Sequence, residues 1–266
     1  MNLPRFFNQM IVYTDFNKAR FGNQLFFVSA TIGVATKNNT EYGFTSQMGH
    51  SGIDYQQIFE NQLPITSTIP QNKYYQTGFG YEDIVVNDAE LIGYFQSENF
   101  FKHCEDLIRN QFEFKKDVIK LCFEKYPTIK DSLTIHIRRG DYVGQPNHHP
   151  VVPISYYMKI LEGISQNYNQ IYVFSDDIEW VKQNFVGDKF IFPQFDFNDD
   201  LNSFVLMSLA KDNVIGNSTY SWWAAWLNKN KNKNVYSPNY KQWFGLSYSN
   251  LDTKDLIPET WIQTEY

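Results

Sequence analysis

Apolar residues recur along this chain with two different periods, and the clearest stretch alternates. Leu133, Ile135 and Ile137 fall on one side, Thr134, His136 and Arg138 on the other, which predicts a strand over 133–137. Around it the period switches repeatedly. Helices are predicted behind Pro153 over 154–166, over 178–185, over 199–211 with Leu201, Val205, Ser208 and Leu209 on one face, and over 221–228. Between them lie short strands at 171–174, 189–192, 213–216 and 234–236. The first half is less regular. A strand at 10–13 and a polar loop at 14–22 lead into a helix from Asn23, with Leu25, Val28, Ile32 and Ala35 along one face. Residues 41–90, rich in Gln, Asn, Tyr and Gly, show no usable period. A strand at 91–94 and helices at 100–110 and 118–125 follow. Strands alternating with helices predict parallel sheets covered on both faces. The expected organisation is an α/β domain over 1–130, a nucleotide-type α/β domain over 131–250, and a tail over 251–266 packing back on the first domain.

Composition narrows the function classes. The 266 residues are 42% hydrophobic, 18% aromatic and 20% charged, enough apolar material for buried cores. A net charge of −6 argues against broad nucleic-acid binding, which needs a basic face. Cys104 and Cys122 form no CxxC pair, so neither a zinc ribbon nor a redox motif is expected, and a reducing compartment is. The longest apolar runs are too short to span a bilayer, and Met1–Met10 lacks the apolar core of a secretory signal. A cytoplasmic protein is expected, with peripheral attachment at the inner face of the membrane left open.

Three polar clusters follow predicted strands. They are Arg138-Arg139-Gly140-Asp141, Ser175-Asp176-Asp177, and Asn217-Ser218-Thr219 leading to a helix at Ser221. In open parallel sheets ligands bind beyond the carboxyl ends of the strands, and a helix start offers free N–H groups to an anion. The chain has only five arginines, Arg5, Arg20, Arg109, Arg138 and Arg139, and two stand together at one strand end. A guanidinium fork matches phosphate oxygens; the competing reading is a structural ion pair. No GxGxxG or GxxxxGK[ST] loop is present, which weighs against a dehydrogenase or a P-loop enzyme. Asp176-Asp177 and Asp199-Asp200 suit either a hard cation or helix caps, and capping is the stronger reading. His136 shares the Arg138 strand face, and general-base and hydrogen-bonding roles are both open. His148-His149 reads as a loop pair and His103 as packing. Trp222, Trp223 and Trp226 read as core, with a base- or sugar-stacking role as the alternative.

His136-Ile137-Arg138-Arg139-Gly140-Asp141-Tyr142 resembles the HxRRGDY motif of the α-1,2-fucosyltransferases, glycosyltransferase family 11. Arg20–Phe26, Gly93–Phe101 and the block from Asp200-Leu201 to Asn217-Ser218-Thr219-Tyr220-Ser221-Trp222-Trp223 resemble three further blocks of that family, in family order. Ala19, Arg20 or Phe21 stands where the family's first loop glycine is usual, and Ala210-Lys211-Asp212 replaces Cys-Lys-His. The resemblance implies a fold of the GT-B type, two Rossmann-like domains with the active cleft between them. It implies an inverting transferase that moves L-fucose from GDP-fucose, without a bound metal, to the 2-hydroxyl of a β-galactoside. The acceptor would be a galactose-containing oligosaccharide or lipid-linked glycan in surface-glycan synthesis. Arg138, then Arg139, would stabilise charge on the leaving diphosphate. His136, Ser175, Asn217, Ser218, Thr219 and Ser221 would hold the donor, Asp176 or Asp177 its ribose or base, and Gly22 and Asn23 would allow close backbone approach. Asp141, Glu98 and Asp15 are alternative bases, the last two on the acceptor side. A metal-dependent transferase of another nucleotide sugar and a non-catalytic carbohydrate binder are the rival classes.

Overall fold

The computed structural model describes residues 9–266. Residues 1–8, with Arg5 and most of the stretch read for a secretory signal, lie outside the described residues. The chain divides into two units, Met1–Glu113 and Phe114–Tyr266.

The first unit opens with β1 (Met10–Tyr13), α1 (Phe21–Lys37) and β2 (Glu41–Phe44). A small antiparallel hairpin, β3 (Gly49–His50) and β4 (Ile53–Asp54), comes next, then β5 (Lys73–Tyr75), β6 (Ala89–Ile92) and α2 (Glu105–Gln111). The sheet runs β2-β1-β6-β5 with every neighbour parallel. Helix α1 was expected to bury one face; it is buried from Gln24 to Ala35 on all sides, as its uninterrupted small and apolar residues allow. The strand expected at 91–94 lies two residues earlier. The helix expected from residue 100 forms only from Glu105, after two single turns of 3-10 helix at Glu98–Phe100 and Lys102–Cys104. The strands within 41–90 are two to four residues long, too short for a period to show in sequence.

The second unit begins with α3 (Lys116–Lys125), then β7 (Leu133–Ile137), α4 (Ile154–Ile164), β8 (Ile171–Ser175), α5 (Ile178–Asn184) and β9 (Phe190–Ile191). It continues through α6 (Asp199–Ser208), β10 (Asp212–Val214), α7 (Thr219–Leu227), β11 (Val235–Pro238) and β12 (Ile262–Thr264). Its parallel sheet is ordered β12-β11-β10-β7-β8-β9. Leu133, Ile135 and Ile137 pack into one core with Tyr156, Tyr157 and Val181, so the strand's alternation is real, although its other face is buried as well.

The boundary falls earlier than the expected 130/131. Helix α3 counts with the second unit: the Cys122 thiol donates to the Asn202 carbonyl at 3.7 Å, and Phe114 meets Phe204 edge-on at 6.0 Å. The tail expected against the first domain supplies an edge strand of the second sheet, β12 beside β11, and counts with that unit. Trp222, Trp223 and Trp226 lie in the core of the second unit; the Trp222 indole donates to the Leu256 carbonyl at 2.9 Å and its ring meets Trp261 at 5.3 Å. Among the described residues no helix is long and apolar enough to cross a membrane.

In the second sheet the strand order reverses once. From β7 the chain builds outward through β8 and β9, then returns to lay β10, β11 and β12 on the other side. The first sheet is laid differently: after β2 the chain crosses to the far edge for β5 and returns to place β6 between β5 and β1. A switch point like that between β7 and β10 opens a crevice at the carboxyl ends of the central strands.

Candidate active site

At the β7/β10 switch point the sequence places charge. Arg138 follows β7 directly, and its guanidinium holds two carboxylates: Nη1 meets Asp176 Oδ2 at 2.6 Å, and Nη2 pairs with Asp141 Oδ1. The guanidinium also lies over the Tyr142 ring, 5.2 Å from its centre. Arg139 turns elsewhere. Its Nε donates to Asp177 Oδ2 at 3.0 Å, and its guanidinium stacks 4.0 Å from the Trp180 ring centre. The two arginines therefore diverge, as adjacent residues leaving a strand should, and each has an acidic partner at the end of β8.

The β8 end is a compact acidic turn. Ser175 Oγ accepts the Asp177 N–H at 3.0 Å, and Asp177 caps α5 by accepting the Trp180 N–H at 3.3 Å. Asp176 accepts the Arg139 N–H at 2.8 Å. Gly140 abuts it: a Cβ at residue 140 would overlap Asp176 Oδ2. Asp199 and Asp200 do not cap α6, contrary to the sequence reading. Asn198, in the left-handed region at φ 49°, holds that position, and Asp199 accepts the Phe195 N–H at 2.7 Å. Desolvation, then the neighbouring Asp199, raises the Asp200 carboxyl above its ordinary value. Among the described residues no three His, Cys, Asp or Glu side chains gather as a metal site.

The β10 side contributes polar groups of another kind. Asn217 is buried, donating to the carbonyls of Pro150 at 2.8 Å and Trp243 at 3.1 Å. The Ser218 N–H donates to the Gly216 carbonyl at 2.9 Å, and Thr219 opens α7. Ser221 is buried and turned inward, its hydroxyl donating to the Ser218 carbonyl at 3.2 Å. His136, on β7, is buried beside the Tyr220 ring, 5.3 Å between centres. Its imidazole pKa is lowered to about 4, first by burial and further by Arg138, with Asp176 opposing. His136 Nδ1 and Asn217 Oδ1 are buried with no hydrogen-bond partner among the described residues. Buried orphan atoms of this kind are where a ligand or ordered water is expected.

In the first unit Asn23 lies in the first turn of α1 beside buried Gly22, and its Oδ1 accepts from Gln96 Nε2 at 2.8 Å. Asp15 is exposed after β1, 3.8 Å from Lys18, and Glu98 lies in the first of the two 3-10 turns. Gln24 was not singled out from the sequence. Its buried amide donates to the carbonyls of Phe16, Ala19 and Gly49 and accepts the Gly49 N–H, all within 3.0 Å, which ties the 14–20 loop to β3.

Comparison with known proteins decides what this architecture belongs to. The model for Glycosyl transferase family 11 matches residues 5–255. The chain belongs to glycosyl transferase family 11. It is 33% identical over 207 residues to the O-antigen biosynthesis glycosyltransferase WbnK of Escherichia coli, covering 73% of this chain and 67% of that protein. It is 30% identical over 200 residues to an alpha-1,2-colitosyltransferase of the same organism, covering 66% and 63%. A galactoside 2-alpha-L-fucosyltransferase of Caenorhabditis elegans is 25% identical over 191 residues, covering 63% and 50%. The matches thus span half to two thirds of these relatives' lengths. Among solved structures, the NodZ alpha-1,6-fucosyltransferase soaked with GDP-fucose superposes with a TM-score of 0.54 at 12% identity, covering 83% of this chain and 92% of that one. POFUT1 in complex with GDP-fucose gives 0.54 at 12%, covering 86% and 97%. The fold is the expected one: α/β of the GT-B type, with two Rossmann-like units.

The family 11 motif explains more of the site than its charges. Tyr142 stacks on His149, ring centres 4.9 Å apart and planes 19° from parallel, and His149 also meets Phe244 and Tyr248. Burial lowers the His149 pKa, with Asp141 opposing. The sequence around His148-His149 predicts only a loop pair. Only the fold joins that loop to residues 243–248, through the Gly245 N–H to the His148 carbonyl at 2.9 Å and the Ser247 N–H to the Asn147 carbonyl at 2.8 Å. The flanking prolines were the one signal that this loop is shaped.

Proposed function

We propose that this family 11 glycosyltransferase moves L-fucose from GDP-fucose, with inversion, to the 2-hydroxyl of a β-galactoside in surface-glycan synthesis. The observation that carries the reading is Arg138, a motif guanidinium at the carboxyl end of β7 and at the switch point of the second sheet. GDP leaves as a diphosphate, so negative charge grows on the β-phosphate in the transition state. A preorganised guanidinium stabilises that charge more than the ground state. Asn217, Ser218, Thr219 and the start of α7 supply further polar groups beside it, and the orphan atoms of His136 and Asn217 suit hydrogen bonds to the donor.

No metal is needed in this scheme, since Arg138 carries the charge compensation. The acceptor is read as a galactose-containing oligosaccharide or lipid-linked glycan. The setting is read as cytoplasmic, with peripheral contact at the inner face of the membrane. The relatives named for O-antigen biosynthesis and for galactoside fucosylation support this reading. The colitosyltransferase relative favours a second reading, in which colitose replaces fucose on the donor.

The test is turnover. The chain is incubated with GDP-fucose, or with a colitose donor, and a panel of galactosides; GDP release and product linkage are read. The proposal expects an α-1,2-linked fucoside. Turnover only with colitose selects the second reading, and binding without turnover makes the protein a carbohydrate or nucleotide binder.

A further inference from the structure

The two carboxylates on Arg138 are held differently. Asp176 stands just past β8 and is fixed by both oxygens: Oδ2 lies 2.6 Å from Arg138 Nη1 and Oδ1 accepts the Arg139 N–H at 2.8 Å. Gly140 closes it in, since any Cβ there would overlap Oδ2. Asp141 sits on the short 3-10 turn Gly140–Gly144, three residues from Arg138, and its side chain is 41% exposed against 27% for Asp176.

We infer that these carboxylates play opposite parts toward an anionic donor: Asp176 is the positioning residue that keeps the guanidinium aimed, and Asp141 is the displaceable partner whose place a phosphate oxygen takes. The inference rests on the reading of Arg138 as the diphosphate contact. A guanidinium has five N–H donors in a planar fork, so one edge can stay on Asp176 while the other changes partner. The partner that yields is the exposed, short-range one, because such pairs are worth little in water. The partner that stays is embedded in the backbone turn, where moving it would also break the Arg139 N–H bond and leave a half-buried carboxylate unsatisfied. Arg139 is outside this exchange, being held by Asp177 and Trp180. The arrangement also gives Asp176 a part beyond contact with a ribose or base: both oxygens engage the 138–139 turn, so it supports the arginine.

The experiment measures GDP affinity by calorimetry, turnover by GDP release from GDP-fucose, and thermal melting, in the wild type, Asp141→Asn, Asp176→Asn and Gly140→Ala. Asp141→Asn removes the competitor and is expected to tighten GDP binding by about 2- to 5-fold. Asp176→Asn keeps an acceptor for the Arg139 N–H but turns an amide toward the guanidinium. It is expected to lower kcat by about 10- to 100-fold, the effect of a misaimed group, with the Kd for GDP changed by less than about threefold and the melting temperature retained. Gly140→Ala pushes on the same carboxylate from the other side and is expected to lower kcat in the same way, so the test stands if Asp176→Asn does not fold. GDP affinity unchanged or weaker in Asp141→Asn overturns the displaceable half. Near-normal kcat in folded Asp176→Asn, or a loss of stability with normal turnover per folded molecule, overturns the positioning half. A wild type that does not bind GDP is a different result, and sinks the Arg138 assignment together with everything built on it.

Discussion

Arg138 and Arg139 are adjacent in sequence and unlike in role. Arg138 faces the switch point with Asp141 and Asp176; Arg139 is sandwiched between Asp177 and Trp180. Arg138→Lys keeps the charge and loses the fork. Steady-state kinetics with GDP-fucose should show kcat lower by about 10²–10³-fold in a protein with native melting behaviour. Arg139→Lys loses the planar stack on Trp180 and should lower the melting temperature as well as activity; loss of activity alone would exchange the two roles. His136 gives a second prediction at this scale. Its folded pKa of about 4 lies below the ordinary 6.5, so the unfolded chain takes up the proton first. The stability that the neutral imidazole contributes is complete above about pH 6.5 and is lost as pH falls toward 4. Melting curves across that window should show a shallower decline in His136→Gln than in the wild type; equal slopes would mean that His136 is not held neutral by burial.

At the scale of elements, what positions the site is close packing between chain segments. Helix α1 runs so near the 98–100 turn that a Cβ on Gly33 would lie 2.9 Å from the Phe100 carbonyl carbon and from Phe101 Cα, and nearer still to the Phe100 oxygen. Backbone cannot move aside as a side-chain tip can. Gly33→Ala should therefore destabilise the protein by about 1–3 kcal/mol, the usual range for overpacking, despite its higher helix propensity. Denaturant midpoints check this, and a stabilised variant would mean that the α1 contact is looser than described. Gly216 makes a milder approach on the other sheet, where a Cβ would sit 2.9 Å from the Tyr157 hydroxyl. In the second unit the helices and the five-residue strands β7 and β8 were legible because each is long enough to show its period. The short strands β9 and β10 were legible only from their place between those helices, and β12 was not legible at all. The strands of 41–90 were not legible either, since β2 and β5 are four and three residues long and lie among polar loops.

For the whole molecule, the prediction concerns ligand linkage. If the donor occupies the crevice at Arg138, GDP should protect the chain against heat, adding about 2.7 kcal/mol at 100 times its Kd. A thermal shift assay reads this directly, and no shift at millimolar GDP would remove the donor from this site. Turnover should also survive EDTA. Loss in chelator with recovery in Mn²⁺ or Mg²⁺ would instead favour a metal-dependent transferase.

The sequence by itself determined the parallel α/β architecture, the strand ends that carry the charged clusters, and the family, because periodicity and short motifs are local properties. Asp177 as a helix cap and the tryptophans as core were legible for the same reason. Tertiary structure alone decided the pairings: which carboxylate meets which arginine, that His149 stacks on Tyr142, that Gln24 ties the β1–α1 loop to β3, and that α3 belongs with the second unit. The Asp176, Asp177, Gln24 and α3 contacts span tens of residues and are set by strand order and helix packing. The Tyr142–His149 stack, though only seven residues apart, depends on how the loop after β7 folds back. Alternation along a strand says which way a side chain leaves it, and only the neighbouring strand decides what it meets.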